Sequence, residues 1–209
     1  MTTFKHGPKA VIGLVGAIGA GKSTAARAFA ARGGFVIDAD ALGHEALRQP
    51  HVVDALVARW GERVRGSDGA LDRRAIARIV FADPNERNAL EAVVFPFITG
   101  RARELIFSAQ ADPAVAFVVL DAAVLLEAGW GEMVDRLVYI DAPRELRLER
   151  LNARSGWSDA DLTAREGAQW PAVRKKERAD LLIENSSDSQ ALQRLVDSAL
   201  ARFGIRPES

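Results

Sequence analysis

Val11-Ile12-Gly13-Leu14-Val15 runs directly into Gly16-Ala17-Ile18-Gly19-Ala20-Gly21-Lys22-Ser23, and Thr24 and Ala25 follow. An apolar, strand-like run, a loop of the form GxxxxGK[ST] and a helix-forming segment stand in the order that a phosphate-binding loop requires. Glycines permit the backbone angles that aim successive N–H groups at phosphate oxygens. The N-terminus of the helix that follows adds partial positive charge. Lys22 is placed to reach the β and γ oxygens of a nucleoside triphosphate, and the Ser23 hydroxyl to ligate Mg²⁺. Gly16, Gly19, Ala20, Gly21, Lys22, Ser23 and Thr24 are therefore the expected triphosphate-binding residues. The loop does not by itself choose between a transferase, an ATPase and a GTPase.

Outward from this loop, short apolar runs alternate with helix-like segments, the pattern of βα units around a parallel sheet. Strands are expected at 10–15, 35–37, 115–120, 137–140 and 181–183. Phe117-Val118-Val119-Leu120 is apolar without alternation, as in a strand covered on both faces. Roughly 75 residues separate the second strand from the third, and roughly 40 the fourth from the fifth, more than single crossovers need. A helical insertion carrying Trp60 and Phe81 is expected in the first interval and a further helical excursion in the second. Asp72, Asp83-Pro84-Asn85-Glu86 and Ser158-Asp159-Ala160-Asp161 read as helix starts. Gly61 closes a helix with a Val52, Val53, Leu56, Val57, Trp60 stripe. Pro96 is expected to kink or split a helical region over 87–108, and the last helix covers about 189–203.

At 209 residues, 48% hydrophobic and 27% charged, the chain suits one soluble domain with insertions. Lysine plus arginine balance aspartate plus glutamate at 28 each, so no global charge draws it to nucleic acid or a membrane. The absence of cysteine excludes disulfides, thiolate metal sites and cysteine nucleophiles. The three histidines, all early, speak against a His-rich zinc site or a Ser-His-Asp triad. No apolar block has the length of a signal peptide or a membrane span. A reduced, cytoplasmic location is expected, with no obligate protein partner.

Asp38 and Asp40 stand where the second strand ends, the edge at which α/β sheets gather ligands. A carboxylate there suits removal of a proton from an attacking hydroxyl or contact with Mg²⁺ through water; the alternative is a helix N-cap. Asp121 ends the third strand, where P-loop proteins carry a second Mg²⁺-linked acid; a plain turn residue is the other reading. Glu127 follows in Leu125-Leu126-Glu127 as a substrate-contact candidate. Arg144, Arg147, Arg150 and Arg154 share one helical stretch, followed by Arg165 and Gln169. They form either a solvated face paired with Glu145 and Glu149 or a lid that brings guanidiniums to transferring phosphate. Arg174-Lys175-Lys176, beside Glu177, reads as solvated.

Taken together, these elements resemble the dephospho-CoA kinase family over nearly the whole chain. The likeness runs through the loop, Val36-Ile37-Asp38-Ala39-Asp40, Asp68-Gly69 with Arg73-Arg74, and Asp121 with Leu125-Leu126-Glu127. It continues through Arg150 with Arg154, Arg165 with Gln169, and Ala179-Asp180 with Ile183-Glu184-Asn185. The resemblance implies ATP-dependent phosphorylation of the ribose 3′-hydroxyl of dephospho-CoA, with Mg²⁺. It implies Asp40 as general base, with Lys22 and Mg²⁺-bearing Ser23 on the phosphates, Asp121 joining Ser23 at the metal, and Arg150 and Arg154 as lid arginines. Asn185 joins the ATP site, while Asp38, Glu127, Arg165 and Gln169 fall to the substrate. The architecture it implies is α/β: a three-layer P-loop NTPase core with a five-stranded parallel sheet (10–40, 112–142 and 179–205). A helical substrate subdomain at about 41–111 and a lid at about 143–178 complete it. The family usually has His-Pro where this chain has Phe95-Pro96, and Pro-Leu-Leu-Phe-Glu where it has Ala123-Val124-Leu125-Leu126-Glu127.

A kinase of another small hydroxyl substrate and a nucleotide-hydrolysing switch are the competing readings. The switch lacks support: no glycine follows Asp121 in Asp121-Ala122-Ala123-Val124, and no Asn-Lys-x-Asp motif occurs.

Overall fold

The computed structural model describes residues 4–205. It divides into two units, one containing residues up to Asp38 and from Leu105 onward, the other Ala39–Glu104.

The first unit is built on a parallel sheet of β1 (Val11–Gly16), β2 (Gly34–Asp38), β3 (Phe117–Asp121), β4 (Arg136–Asp141) and β5 (Leu181–Glu184), in the order β2-β3-β1-β4-β5. The expected strands are all present, within one or two residues of their expected ends. β1 and β3 are buried at every position, which is why both read as unbroken apolar runs. Side chains alternate across each strand. Ile12 and Leu14 of β1, Val119 of β3, and Val138 and Ile140 of β4 join Phe29, Leu192, Val196 and Leu200 in one cluster. Phe29 comes from α1 (Lys22–Ala30) and the last three from α9 (Ser189–Arg202). The other face meets the segment after β3: a Cβ on Gly13 would lie 2.9 Å from Leu125 and 3.1 Å from Val134. Burying the thirteen Val, Leu, Ile and Phe side chains of the cluster, at about 1.5–3 kcal/mol each, dominates the stability of this layer.

Between β4 and β5 lie α6 (Arg144–Ser155), α7 (Asp159–Glu166) and α8 (Ala172–Arg178). Ser158 caps α7 as the sequence predicts: its hydroxyl accepts from Asp161 N–H, and the Asp161 carboxylate accepts from Ser158 N–H.

The second unit contains α2 (Ala39–Ala46), α3 (Pro50–Trp60), α4 (Arg73–Ala82) and α5 (Pro84–Ala111) up to Glu104. Asp72 caps α4 by accepting from the N–H groups of Arg74 and Ala75, at 2.8 and 3.2 Å. Asp83 accepts from Asn85 N–H at 2.8 Å to start α5. Glu86 does not complete a capping box; its carboxylate takes the Trp60 indole N–H and the Arg59 guanidinium, each at 2.7 Å. Pro96 does not split the helix, which continues from Pro84 to Ala111. The missing N–H costs about 3 kcal/mol, and buried Val94, Ile98 and Ala102 continue the four-residue stripe across it.

Candidate active site

The loop after β1 takes its shape from two close approaches. A Cβ on Gly16 would lie 2.5 Å from the Ile140 carbonyl oxygen, which accepts the Ala17 N–H at 3.1 Å. Gly21 is left-handed at φ 86°, and a Cβ there would collide with the Asn185 carboxamide.

The outer carbonyls of the loop are tied down by side chains from beyond β4. Asn185 Nδ2 donates to Ala20 O at 2.8 Å. Arg150 donates to Ala20 O at 3.4 Å and to Asn185 O at 3.0 Å. Arg147 donates to Ile18 O at 3.0 Å and pairs with Glu166 at 2.7 Å. The N–H groups of Ile18, Gly19, Gly21, Lys22 and Ser23, by contrast, donate no hydrogen bond among the described residues. A loop with its carbonyls bound and its amides open is a nest for an anion, and α1 adds its positive end.

Lys22 forms an ion pair with Asp121, which is buried at 7% exposure. The parallel register sets Asp38 opposite Asp121 at the ends of β2 and β3. Both carboxylates thus occupy the carboxyl edge of the sheet, as expected. Asp38 and Ser23 are exposed. Asp40 is exposed in the first turn of α2, in the second unit. Thr24 Oγ1 accepts from Arg27 at 3.1 Å. Ser23 and Asp121 offer hydroxyl and carboxylate oxygens, the donor type of a hard cation. No cluster of three or more His, Cys, Asp or Glu that could hold a metal ion occurs among the described residues.

The remaining candidates separate. Arg154 is exposed, with no hydrogen bond or ion pair among the described residues. Arg165 stacks on Trp157, 4.2 Å from the ring centroid. Glu127 and Gln169 converge on Lys175, whose ammonium lies 2.7 Å from Glu127 Oε1 and 3.1 Å from Gln169 Oε1. It also donates to Ala123 O at 2.8 Å. Lys175 is 2% exposed, contrary to its reading as one of three solvated basic residues. Arg174 instead stacks on Trp170, and Lys176 pairs with Asp141. Glu127 Oε1 also accepts the Trp170 N–H at 2.9 Å, while its buried Oε2 has no partner.

Glu166 was not a candidate from sequence. Burial pushes its carboxyl up, but the Arg147 and Arg144 guanidiniums outweigh this and hold it below the ordinary 4.5. Its only sequence signal is its place directly after Arg165.

The sequence model of the dephospho-CoA kinase family matches residues 10–191. A dephospho-CoA kinase of Methylococcus capsulatus is 39% identical over 93% of this chain and 97% of its own length. One from Anaeromyxobacter dehalogenans is 41% identical over 91% of this chain and 90% of its own. A crystal structure from Thermus thermophilus has a TM-score of 0.79 at 38% identity, covering 93% of this chain and 98% of that one. A shikimate kinase from Acinetobacter baumannii, with a TM-score of 0.51 at 19% identity and 93% of each chain covered, shares the fold alone. The phosphate nest fits a kinase, and the match over residues 10–191 together with relatives about 40% identical over nearly their whole length decides which: the chain belongs to the dephospho-CoA kinase family.

Proposed function

We propose that this chain transfers the γ-phosphoryl group of ATP to the ribose 3′-hydroxyl of dephospho-CoA, giving CoA and ADP, the last step of coenzyme A synthesis. The observation that carries the reading is the open-amide nest beside Lys22, in a chain of this family. The 3′-oxygen forms a bond to the γ-phosphorus, the bond from that phosphorus to the bridging oxygen breaks, and ADP departs with the electron pair. The hydroxyl proton passes to Asp40, two residues past the end of β2.

Lys22 exchanges Asp121 for the β and γ oxygens when ATP enters. Ser23 and Asp121 would then hold Mg²⁺, which when bound neutralises charge on those oxygens. Residues 16–24 and Asn185 hold the triphosphate. Arg150, already at Ala20 O, and the exposed Arg154 bring charge to the transferring group. On the acceptor side, Asp38 and Arg165 contact dephospho-CoA, and Glu127 and Gln169 act through the Lys175 junction. Residues at about 41–111 form the acceptor subdomain, and those at about 143–178 the lid. No helix among the described residues is long and apolar enough to cross a membrane, and a cysteine-free chain suits work in the cytoplasm.

The test is ADP release against a panel of acceptors, with mass analysis of the product. Stoichiometric formation of CoA from dephospho-CoA is the expected result. Transfer to a nucleoside monophosphate, with none to dephospho-CoA, would overturn the proposal.

A further inference from the structure

A cavity of about 220 Å³ opens beside the first three residues of the loop, Gly16, Ala17 and Ile18, walled by Tyr139, Gln169 and Trp170. Its charged lining is already committed. Lys175 serves Glu127, Gln169 and Ala123 O, and Glu166 holds Arg144 and Arg147. A phosphate would find no unpaired cation here, so the cavity suits a neutral group.

Tyr139 is the exception to this saturation. The alternation of β4 turns it away from the α1/α9 cluster and toward α8, where Lys176 Nζ stands 5.5 Å from its ring centroid. It is 1% exposed, yet its hydroxyl makes no hydrogen bond among the described residues. Buried phenols ordinarily find a partner. Burial pushes its pKa up to about 12, so the hydroxyl stays protonated and ready to donate or accept. Gln169 is half-committed in the same way. Its Oε1 accepts from Lys175, while its Nε2 donates to no acceptor among the described residues. Trp170 supplies an aromatic wall, its ring stacked by Arg174 at 3.4 Å.

We propose that this cavity takes the adenine of the acceptor nucleotide, with Tyr139 and Gln169 on the edge of the base and Trp170 beside it. The inference rests on dephospho-CoA being the acceptor. In that molecule the base and the reacting 3′-hydroxyl share one ribose, whereas the pantetheine arm begins beyond two phosphates. A cavity bordering the loop that holds the donor phosphates is therefore reached by the base. The donor's own base belongs elsewhere on this reading: the N-terminus of α1 attracts the donor phosphates, and Asn185, assigned above to the ATP site, binds Ala20 O on that side of the loop. Tyr139 and Trp170 are thereby specificity-determining residues absent from the motif.

Steady-state kinetics on the full chain, with ATP and dephospho-CoA varied separately, test this. Tyr139→Phe should raise KM for dephospho-CoA about fivefold, the worth of one hydrogen bond between neutral groups. Its kcat and its KM for ATP should stay within about twofold. Ala172→Trp, at an exposed position on the cavity rim, should raise the same KM without touching the fold. An unchanged KM for dephospho-CoA in both variants, with wild-type turnover intact, would overturn the adenine site and leave the kinase assignment standing. A rise confined to KM for ATP would likewise overturn it. Failure of the wild-type chain to phosphorylate dephospho-CoA would overturn both.

Discussion

Replacing Lys175 by methionine should destabilise the protein far more than its place in a basic run implies. The ammonium is 2% exposed and makes three contacts within 3.1 Å, to Glu127, Ala123 O and Gln169. Methionine fills most of the volume, so the loss is electrostatic. Glu127, 17% exposed, keeps only the Trp170 N–H on Oε1, and its Oε2 has no partner to begin with. Leaving one member of a buried ion pair uncompensated costs about 3–5 kcal/mol. For a domain of this size that lowers Tm by roughly 6–20 °C. The assay is urea unfolding followed by circular dichroism, for Lys175→Met, Glu127→Gln and the double variant. Neutralising both partners removes the stranded charge, so the double variant should recover a large part of the loss. A single-variant loss below about 1 kcal/mol, or a double variant no better than Lys175→Met, would refute the reasoning.

Lys22→Ala and Asp40→Asn should each lower turnover at least about a hundredfold; near-normal turnover of Asp40→Asn, with CoA confirmed as product, removes it as the base. Arg154→Ala should leave the unfolding free energy within about 0.5 kcal/mol, since the side chain is exposed and unpaired among the described residues. Its turnover should nonetheless fall on the order of a hundredfold or more, and unchanged turnover would take Arg154 out of the lid arginines. Glu166, held below its ordinary 4.5 by Arg147 and Arg144, stabilises the folded chain in full above that value. The contribution is lost as pH falls through the lower folded value. The stability gap between wild type and Glu166→Gln should therefore close on acidification from about pH 7 to about pH 3, and a constant gap would contradict this.

Where one chemistry or one local bond dictates the residues, the sequence was readable. The loop at 16–23 is fixed by the needs of a phosphate, and β3 by burial on both faces. Asp72 and Ser158 declare their helices because a cap is satisfied within three residues. Fates that depend on how a helix is rotated against the sheet were not readable. Arg147, Arg150 and Arg154 share three- and four-residue spacing, yet two reach loop carbonyls and one points to solvent. Lys175 sits between two basic neighbours, and only the packing of α8 against β1 and β4 shows which of the three is buried. Glu127 was the available hint, as a carboxylate in an apolar stretch that needed a counter-charge. At Pro96 the sequence left a kink or a split open; the helix is not split, because the buried stripe of Val94, Ile98 and Ala102 on either side outweighs the local loss.

Arg147 gives two distant demands a common hinge. One guanidinium nitrogen touches both Ile18 O, at the nucleotide loop, and Glu166, at the end of α7. Any ligand that shifts Glu166 thus alters how firmly the loop is braced, and any ligand that reshapes the loop alters Glu166. Free energy around such a cycle must close. If bound ATP tightens the acceptor by some factor, the acceptor tightens ATP by that same factor, and Arg147→Lys should weaken both couplings together.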